Sequence, residues 1–311
     1  MTPSIEPTSF PTVGVVVPTR ARPQMLREAL AAIREQDYPG RVETVVVFDQ
    51  SDPDPEMGSA DEQRPVRVVS NDRSPGLAGA RNCGILHSDT ELVAFCDDDD
   101  TWLPDKLSAQ VAGLREQPAA QLVCTGIRVC YGDTTVDRTL PLRHIGLPDL
   151  LRSRLTELHP STFLIRRAAL VDGFGLVDEQ IPGSYAEDYE FLLRAARCAP
   201  LLNLDRVLVC VRWHRQSYFA SRWGTISTAL TWLLDRYPEF DTVPHGQARV
   251  QGQIAFATAA AGDRRGALRW AGRTLRRNPR EARGYLALAV ASGALSADQV
   301  MRQLHKRGKG L

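Results

Sequence analysis

The chain has 311 residues, 43% hydrophobic and 24% charged, with 38 Lys and Arg against 37 Asp and Glu. That mix excludes wholesale disorder, and a formal charge of +1 supplies no global attraction for nucleic acid, so local clusters must carry the electrostatics. The length suits one large domain or a catalytic domain with an appendage, because single cores stop growing near about 250 residues.

Pro3, Pro7 and Pro11 mark residues 1–11 as a flexible leader. No basic region precedes the short apolar stretch Val13 to Val17, so a secretory signal is not expected. The longest apolar segments are broken well before the roughly 18 residues a membrane span needs. The expectation is a soluble cytoplasmic protein, with at most a peripheral contact at the inner face of a membrane.

TVGVVVPT reads as a buried strand stopped by Pro18, and PQMLREALAAIREQ as a helix with proline in its first turn. RVETVVVFD is a second strand ending on Asp49, SDPDPEMGSADEQRP a polar loop without regular structure, and VRVVS a third strand. The helix candidate LAGARNCGILHS leads into ELVAFCDDDD, an apolar run closed by four aspartates. This alternation predicts an α/β fold with a mostly parallel central sheet. Ligands of such sheets sit at the carboxyl ends of strands, where Asp49 and Asp97 to Asp100 fall.

QLVCTGIRVCYG and TTVDRTLPL then look like strands, STFLIRRAAL like a strand passing into a short helix, AEDYEFLLRAARCA like a helix and PLLNLDRVLVCVRWH like a strand. Beyond them lie successive amphipathic helices punctuated by Gly or Pro, expected as a C-terminal helical region over 216–311. Between Gln251 and Ala289 the helix and turn spacing resembles a tetratricopeptide unit of about 34 residues. Too few repeats are present for a solenoid, which leaves a helical cap, or a surface on which Arg264, Arg265, Arg269, Arg273, Arg276, Arg277, Arg280 and Arg283 face anionic lipid or an anionic carrier. The six cysteines lack paired metal-binding spacing and read as buried small hydrophobes.

Four adjacent carboxylates after an apolar strand are the strongest local feature. Alternation directs Asp97 and Asp99 to one side, leaving Asp98 and Asp100 for capping or the opposite side. Hard oxygen donors suit Mg²⁺ or Mn²⁺ bridging to substrate phosphates; the alternative is a purely local capping role. Glu187 and Asp188 open a helix, where carboxylates are favourable in any case, or one of them accepts a proton from a substrate hydroxyl while the other orients it. GLAGARN contains neither GxGxxG nor a GK[ST] ending, which disfavours a dinucleotide fingerprint and a P-loop.

VGVVVPTR, VVVFDQS, GLAGARNCGI, VAFCDDDDTWLPDKL and AEDYEFLLR, in this order over about residues 12–215, resemble glycosyltransferase family 2 with a GT-A fold. The resemblance implies a metal-dependent, inverting transfer from a nucleoside-diphosphate sugar, UDP-sugar first and GDP- or dTDP-sugar as alternatives, with Mn²⁺ or Mg²⁺. It divides residues 12–215 into a nucleotide-sugar-binding half, 12–118, and an acceptor-binding half, 119–215. Carried over by position, Pro18, Thr19 and Arg20 approach the nucleotide, Asp49 the base, and Arg81 and Asn82 the diphosphate or donor sugar. Asp97 and Asp99 match the outer residues of the Asp-x-Asp motif, with Asp99 as the direct metal ligand. Asp98 contacts ribose or diphosphate, and Asp100 supports the turn. Asp188 is the general base with Glu187 beside it. His214 helps bind metal or leaving diphosphate, or else is a surface residue, and His159 shapes the acceptor site or makes a structural hydrogen bond. The acceptor is a glycan precursor, a lipid-linked saccharide or a small molecule. The segment Phe48-Asp49-Gln50-Ser51 departs from the family's Asp-Asp-Gly-Ser, and the QxxRW motif of processive synthases is absent. The rival readings are a sugar-phosphate nucleotidyltransferase, whose early Gly-rich signature is missing, and a non-catalytic carbohydrate- or protein-binding scaffold. Nucleic-acid binding is not expected without zinc-finger spacing or an aromatic platform.

Overall fold

The computed structural model describes residues 10–132, 134–213 and 222–306, so most of the leader and His214 lie outside the described residues. The chain divides into two compact units. Described residues of the first are 10–132, 134–146, 155–179 and 191–213; those of the second are 147–154, 180–190 and 222–306.

The first unit is built on one sheet. Strand β1 (Val13–Thr19) is buried along its whole length, as its run of β-branched residues requires. Helix α1 (Pro23–Arg34) starts on Pro23 and buries Leu26, Ala29, Leu30 and Ile33. Strands β2 (Val42–Phe48) and β3 (Val66–Ser70) add in parallel on one side of β1, with Val13 opposite Val42 and Thr44 opposite Val66. After helix α2 (Leu77–Leu86) the chain crosses to the other side, where β4 (Leu92–Phe95) pairs in parallel with β1. Gly84 makes the close approach of α2 to β1 possible: a Cβ there would lie 2.3 Å from Val16 Cγ1. The strand order reverses between β1 and β4, a topological switch point with Thr19 and the four aspartates at its carboxyl edge.

The remaining elements are β5 (Thr101–Trp102), α3 (Lys106–Glu116), β6 (Leu122–Tyr131), β7 (Thr134–Arg138), β8 (His144–Ile145), β9 (Leu164–Arg166) and β10 (Leu201–Arg212). The strand order is β3-β2-β1-β4-β9-β6-β10-β5, with β7 beside β6 and β8 beside β10. The four strands β3, β2, β1 and β4 are parallel, as are β6 and β10. The longer ladders are parallel, as expected, and short antiparallel strands complete the sheet: the three-residue β9 runs antiparallel to both β4 and β6, and β5 antiparallel to β10. Hydrophobic periodicity carries no strand direction, so the antiparallel placement of these short strands was not readable from pattern. The expected structureless loop after β2 holds a short 3₁₀ turn at Pro55–Met57, capped by Asp54 and anchored by buried Met57. Cys83, Cys96 and Cys124 are buried, but Cys130 and Cys210 are only partly so and Cys198 is exposed.

The second unit is helical. It contains α4 (Leu147–Arg152), the start of α5 (Glu187–Cys198), α6 (Trp223–Arg236), α7 (Pro244–Ala260), α8 (Arg264–Arg277), α9 (Ala282–Ala291) and α10 (Ala297–Lys306). Helix α7 is its core: Ala248, Val250, Ile254, Ala255, Phe256 and Ala257 are fully enclosed, and α6, α8 and α9 pack around it. Asp263 and Glu281 cap α8 and α9 by accepting the backbone N–H of Gly266 and Arg283. Among the described residues no helix is long and apolar enough to cross a membrane.

Candidate active site

The turn after β4 is where the sequence concentrates carboxylates, and its side chains alternate: Asp97 and Asp99 are partly exposed, Asp98 and Asp100 buried. Each inward carboxylate has dedicated donors. Thr19 Oγ1, at the end of β1, donates to Asp98 Oδ2 at 2.7 Å. Ser161 Oγ donates to Asp100 Oδ2 at 2.5 Å, the backbone N–H of Arg212 donates to Asp100 Oδ1 at 3.3 Å, and His159 Nδ1 lies 3.3 Å from Asp100 Oδ2. Ser161 Oγ also accepts the Asp97 backbone N–H at 3.0 Å, which fixes the turn from both ends. Burial pushes the Asp98 carboxyl up to about 6 against the Thr19 hydrogen bond and the Arg22 charge, and burial likewise raises Asp100.

The outward pair meets two arginines. Arg22 Nη1 bridges Asp98 Oδ1 at 3.1 Å and Asp99 Oδ2 at 2.7 Å. Arg81, fully enclosed on α2 against the Phe95 ring, donates through Nη2 to Asp97 Oδ1 at 2.8 Å. Sequence matching pointed to Arg20, which is exposed immediately after β1, and missed Arg22 two residues on. The cause is structural: Ala21, with a φ of +54°, turns the chain so that the next arginine reaches the aspartates. Pro18 lies past the last β1–β4 residue pair, with its backbone at the sheet edge.

Asp49 is a hub for its own neighbourhood. Its carboxylate accepts from Asn71 Nδ2 at 2.8 Å, Gln50 Nε2 at 2.9 Å and the Gly76 backbone N–H at 3.1 Å, tying the end of β2 to the loop before α2. Asn82 is likewise committed internally: Nδ2 donates to Val177 O at 2.8 Å and Glu179 Oε1 at 2.7 Å, and Oδ1 accepts the Val177 N–H at 2.9 Å. Asn82 thus braces residues 177–179. Glu179, absent from the sequence reading, also takes Arg73 Nε and Ser74 Oγ at 2.6 Å each. Burial pushes its carboxyl up, but the donors Asn82, Ser74 and Arg73 outweigh this and hold it at about 2.

The second acidic feature belongs to the helical unit. Asp188 accepts from one guanidinium nitrogen, Arg154 Nη2, through Oδ1 at 2.8 Å and Oδ2 at 3.0 Å. Burial opposes the Arg154 charge, but Asp188 outweighs it and raises the guanidinium pKa. Glu187 beside it is buried. Arg154 carries no motif and was not singled out by sequence; it is found only through this ion pair. Tyr189 on the next position of α5 donates to Leu150 O at 2.7 Å and accepts from Arg249 Nη2 at 2.9 Å, which holds the first turn of the helix.

Backbone strain marks the same places. Among the described residues, non-glycine residues with left-handed φ are Ala21, Gln50, Leu155, Ser184 and Ala186. Ala21 adjoins Arg22, Gln50 adjoins Asp49, Leu155 adjoins Arg154 and Ala186 adjoins Glu187, in keeping with strain being retained where side-chain placement matters.

A family model described as "Glycosyl transferase family 2" matches residues 14–174, just over half of the chain. The succinoglycan biosynthesis protein ExoW of Rhizobium meliloti is 30% identical over 166 residues, 51% of this chain and 49% of the relative. The chain spans about half the length of the curated relatives it matches. Among solved structures, S. aureus TarS 1-349 in complex with UDP-GlcNAc superposes with a TM-score of 0.60 at 17% identity, covering 96% of this chain and 92% of that one. The mannosyltransferase PcManGT from Pyrobaculum calidifontis, in complex with GDP-Man and Mn²⁺, gives 0.58 at 20% identity, covering 92% and 87%.

Proposed function

The chain belongs to glycosyl transferase family 2, and from that membership we propose that it transfers a sugar from a nucleoside-diphosphate sugar to an acceptor hydroxyl with inversion at the anomeric carbon. The observation that carries the reading is the aspartate turn at the switch point of the sheet, with Asp97 and Asp99 outward and Asp98 and Asp100 tied down behind them.

A divalent cation suits this donor set. All four side chains are hard oxygen donors clustered on one turn. Asp97 and Asp99 would hold Mn²⁺ or Mg²⁺, Asp99 directly; the third expected ligand, His214, lies outside the described residues. A second ligand set has its own support, because donor atoms of Asp97, Asp100 and His159 lie within 4.8 Å of one another. Bound there, the ion supplies positive charge against the departing diphosphate. Arg81 and Arg22 add cationic donors at the same edge, and Asp49 shapes the base pocket by holding the loop through Asn71 and Gly76.

Asp188 serves as the proton acceptor. The acceptor O–H proton passes to its carboxylate as that oxygen forms the new bond to the anomeric carbon and the bond to the diphosphate oxygen breaks. Arg154 orients the carboxylate. Glu187 supports it. The donor of first choice is a UDP-sugar, in line with the TarS complex, and a GDP-sugar is the alternative, in line with the mannosyltransferase. For the acceptor, the polysaccharide role in the name of ExoW favours a saccharide under assembly, free or lipid-linked, over an unrelated small molecule.

The test is a donor panel with Mg²⁺ and with Mn²⁺, reading release of UDP, GDP or dTDP, followed by NMR of the product. Metal-stimulated release of one nucleoside diphosphate and an inverted anomeric centre are expected. Pyrophosphate release would reassign the chain to nucleotidyl transfer, and retained configuration would reject direct displacement.

A further inference from the structure

The helical unit carries a cationic face that the transfer chemistry does not use. Helix α8 has six arginines and no carboxylate in its 14 residues. Its inner face, Gly266, Ala267, Ala271 and Thr274, is buried in the helical unit. Arg264, Arg265, Arg269 and Arg276 are exposed, and among the described residues none of them makes an ion pair. Arg277 and Arg283 do not belong to this set, since they pair with Asp241 and Glu281. Spacings of four and seven residues align Arg265, Arg269 and Arg276 along one side of the helix over about 17 Å, with Arg264 turned about 100° from Arg265. Leu268 lies among them, 54% exposed.

Two features indicate that this face meets a negative surface. Arg264 and Arg265 occupy the first turn, the positive end of the helix dipole, so they raise the local potential instead of offsetting it. Arg265, Arg269 and Arg276 also form a row, with the outward Leu268 between it and Arg264, which suits a planar, apolar-backed partner better than a pocketed ligand. The nearby indole, Trp270, is half-buried and covered by the Arg273 guanidinium 4.8 Å from its centroid, so it offers no platform for stacking bases. We infer that the exposed face of α8 docks the protein on an anionic lipid bilayer, with the arginines at the headgroups and Leu268 entering the interface. The inference stands apart from the proposed transfer reaction and is tested without it.

The experiment is co-sedimentation of the full chain with vesicles of phosphatidylcholine alone and of equal parts phosphatidylcholine and phosphatidylglycerol. Binding to the anionic vesicles alone, reversed by high salt, is expected. Arg265→Ala/Arg269→Ala should weaken it about 25-fold, at roughly fivefold per arginine, and Arg265→Lys/Arg269→Lys should restore most of it. Circular dichroism melts check that the variants are folded, and the lysine pair keeps the test valid if the alanine pair is not. Equal binding to neutral vesicles, no binding to either, or unchanged binding in a folded alanine pair overturns the inference. Tighter retention on duplex DNA than on the anionic vesicles at the same ionic strength would assign the face to nucleic acid instead.

Discussion

At the scale of single residues, the aspartate turn separates carboxylates that face outward from those that hold the turn in place. Asp99→Ala removes a hard oxygen donor from the exposed side, so a folded variant should lose metal-stimulated donor turnover by about 10² or more. His159→Ala discriminates the ligand sets: an equal loss there, with Asp99→Ala near normal, would move the metal to Asp97, Asp100 and His159. Asp188→Asn keeps volume and removes the base, so donor affinity should stay within about threefold while transfer falls by roughly 10². Glu187→Gln is its companion, and a severe loss in that variant alone would shift the base by one residue. Glu179 acts on the fold. Its carboxyl is at about 2 when folded against an ordinary 4.5, so the unfolded chain binds the proton first on acidification. The stability it contributes is therefore complete above about 4.5 and lost as pH falls towards 2. Glu179→Gln should flatten the acid limb of a pH-stability curve in that window, and an unchanged limb would refute the assignment.

At the scale of elements, what matters is how strand ends are tied to the loops that follow them. Asp49 at the end of β2 holds the segment before α2 through Asn71 and Gly76, and Glu179 holds the same segment through Arg73 and Ser74. Gly76 enters α2 with φ of +112° and ψ of 177°, a region essentially reserved for glycine. Gly76→Ala should cost about 1–3 kcal/mol and also weaken nucleotide binding, because the Gly76 N–H that fixes Asp49 moves with the backbone. Thermal melts and a nucleotide titration measure both. A stable variant with unaltered binding would show that the loop tolerates a different path.

At the scale of the whole molecule, global stability should report on a charge enclosed in the first unit. Lys106 is fully buried, with its Nζ 2.8 Å from Gln110 Oε1 and 3.8 Å from the Trp102 ring centroid. Burial lowers its pKa from 10.5 to about 7. Between those values the unfolded chain binds more protons than the folded one, so stability should rise as pH climbs from about 7 towards 10.5. Lys106→Met keeps the volume, and Gln110 retains its bonds to Val123 O and Thr162 O. The variant should lose this alkaline rise in denaturant midpoints measured across the window. A parallel rise in both proteins would show that Lys106 does not cause it.

The sequence by itself determined the α/β layering, the strand ends that carry Asp49 and Asp97 to Asp100, and the helix opened by Glu187 and Asp188, because hydrophobic period and clustered charge are local properties. The outward and inward alternation of the four aspartates was legible for the same reason, since it follows from the geometry of a strand end. Only the tertiary structure decided that β9 runs antiparallel between β4 and β6, that Arg22 reaches the aspartates, that Asn82 and Glu179 brace each other, and that Arg154 grips Asp188. Each of these joins residues distant in sequence or depends on a left-handed backbone residue such as Ala21. Neither pairing partners nor positive φ at a non-glycine residue is encoded in the spacing of apolar and charged positions.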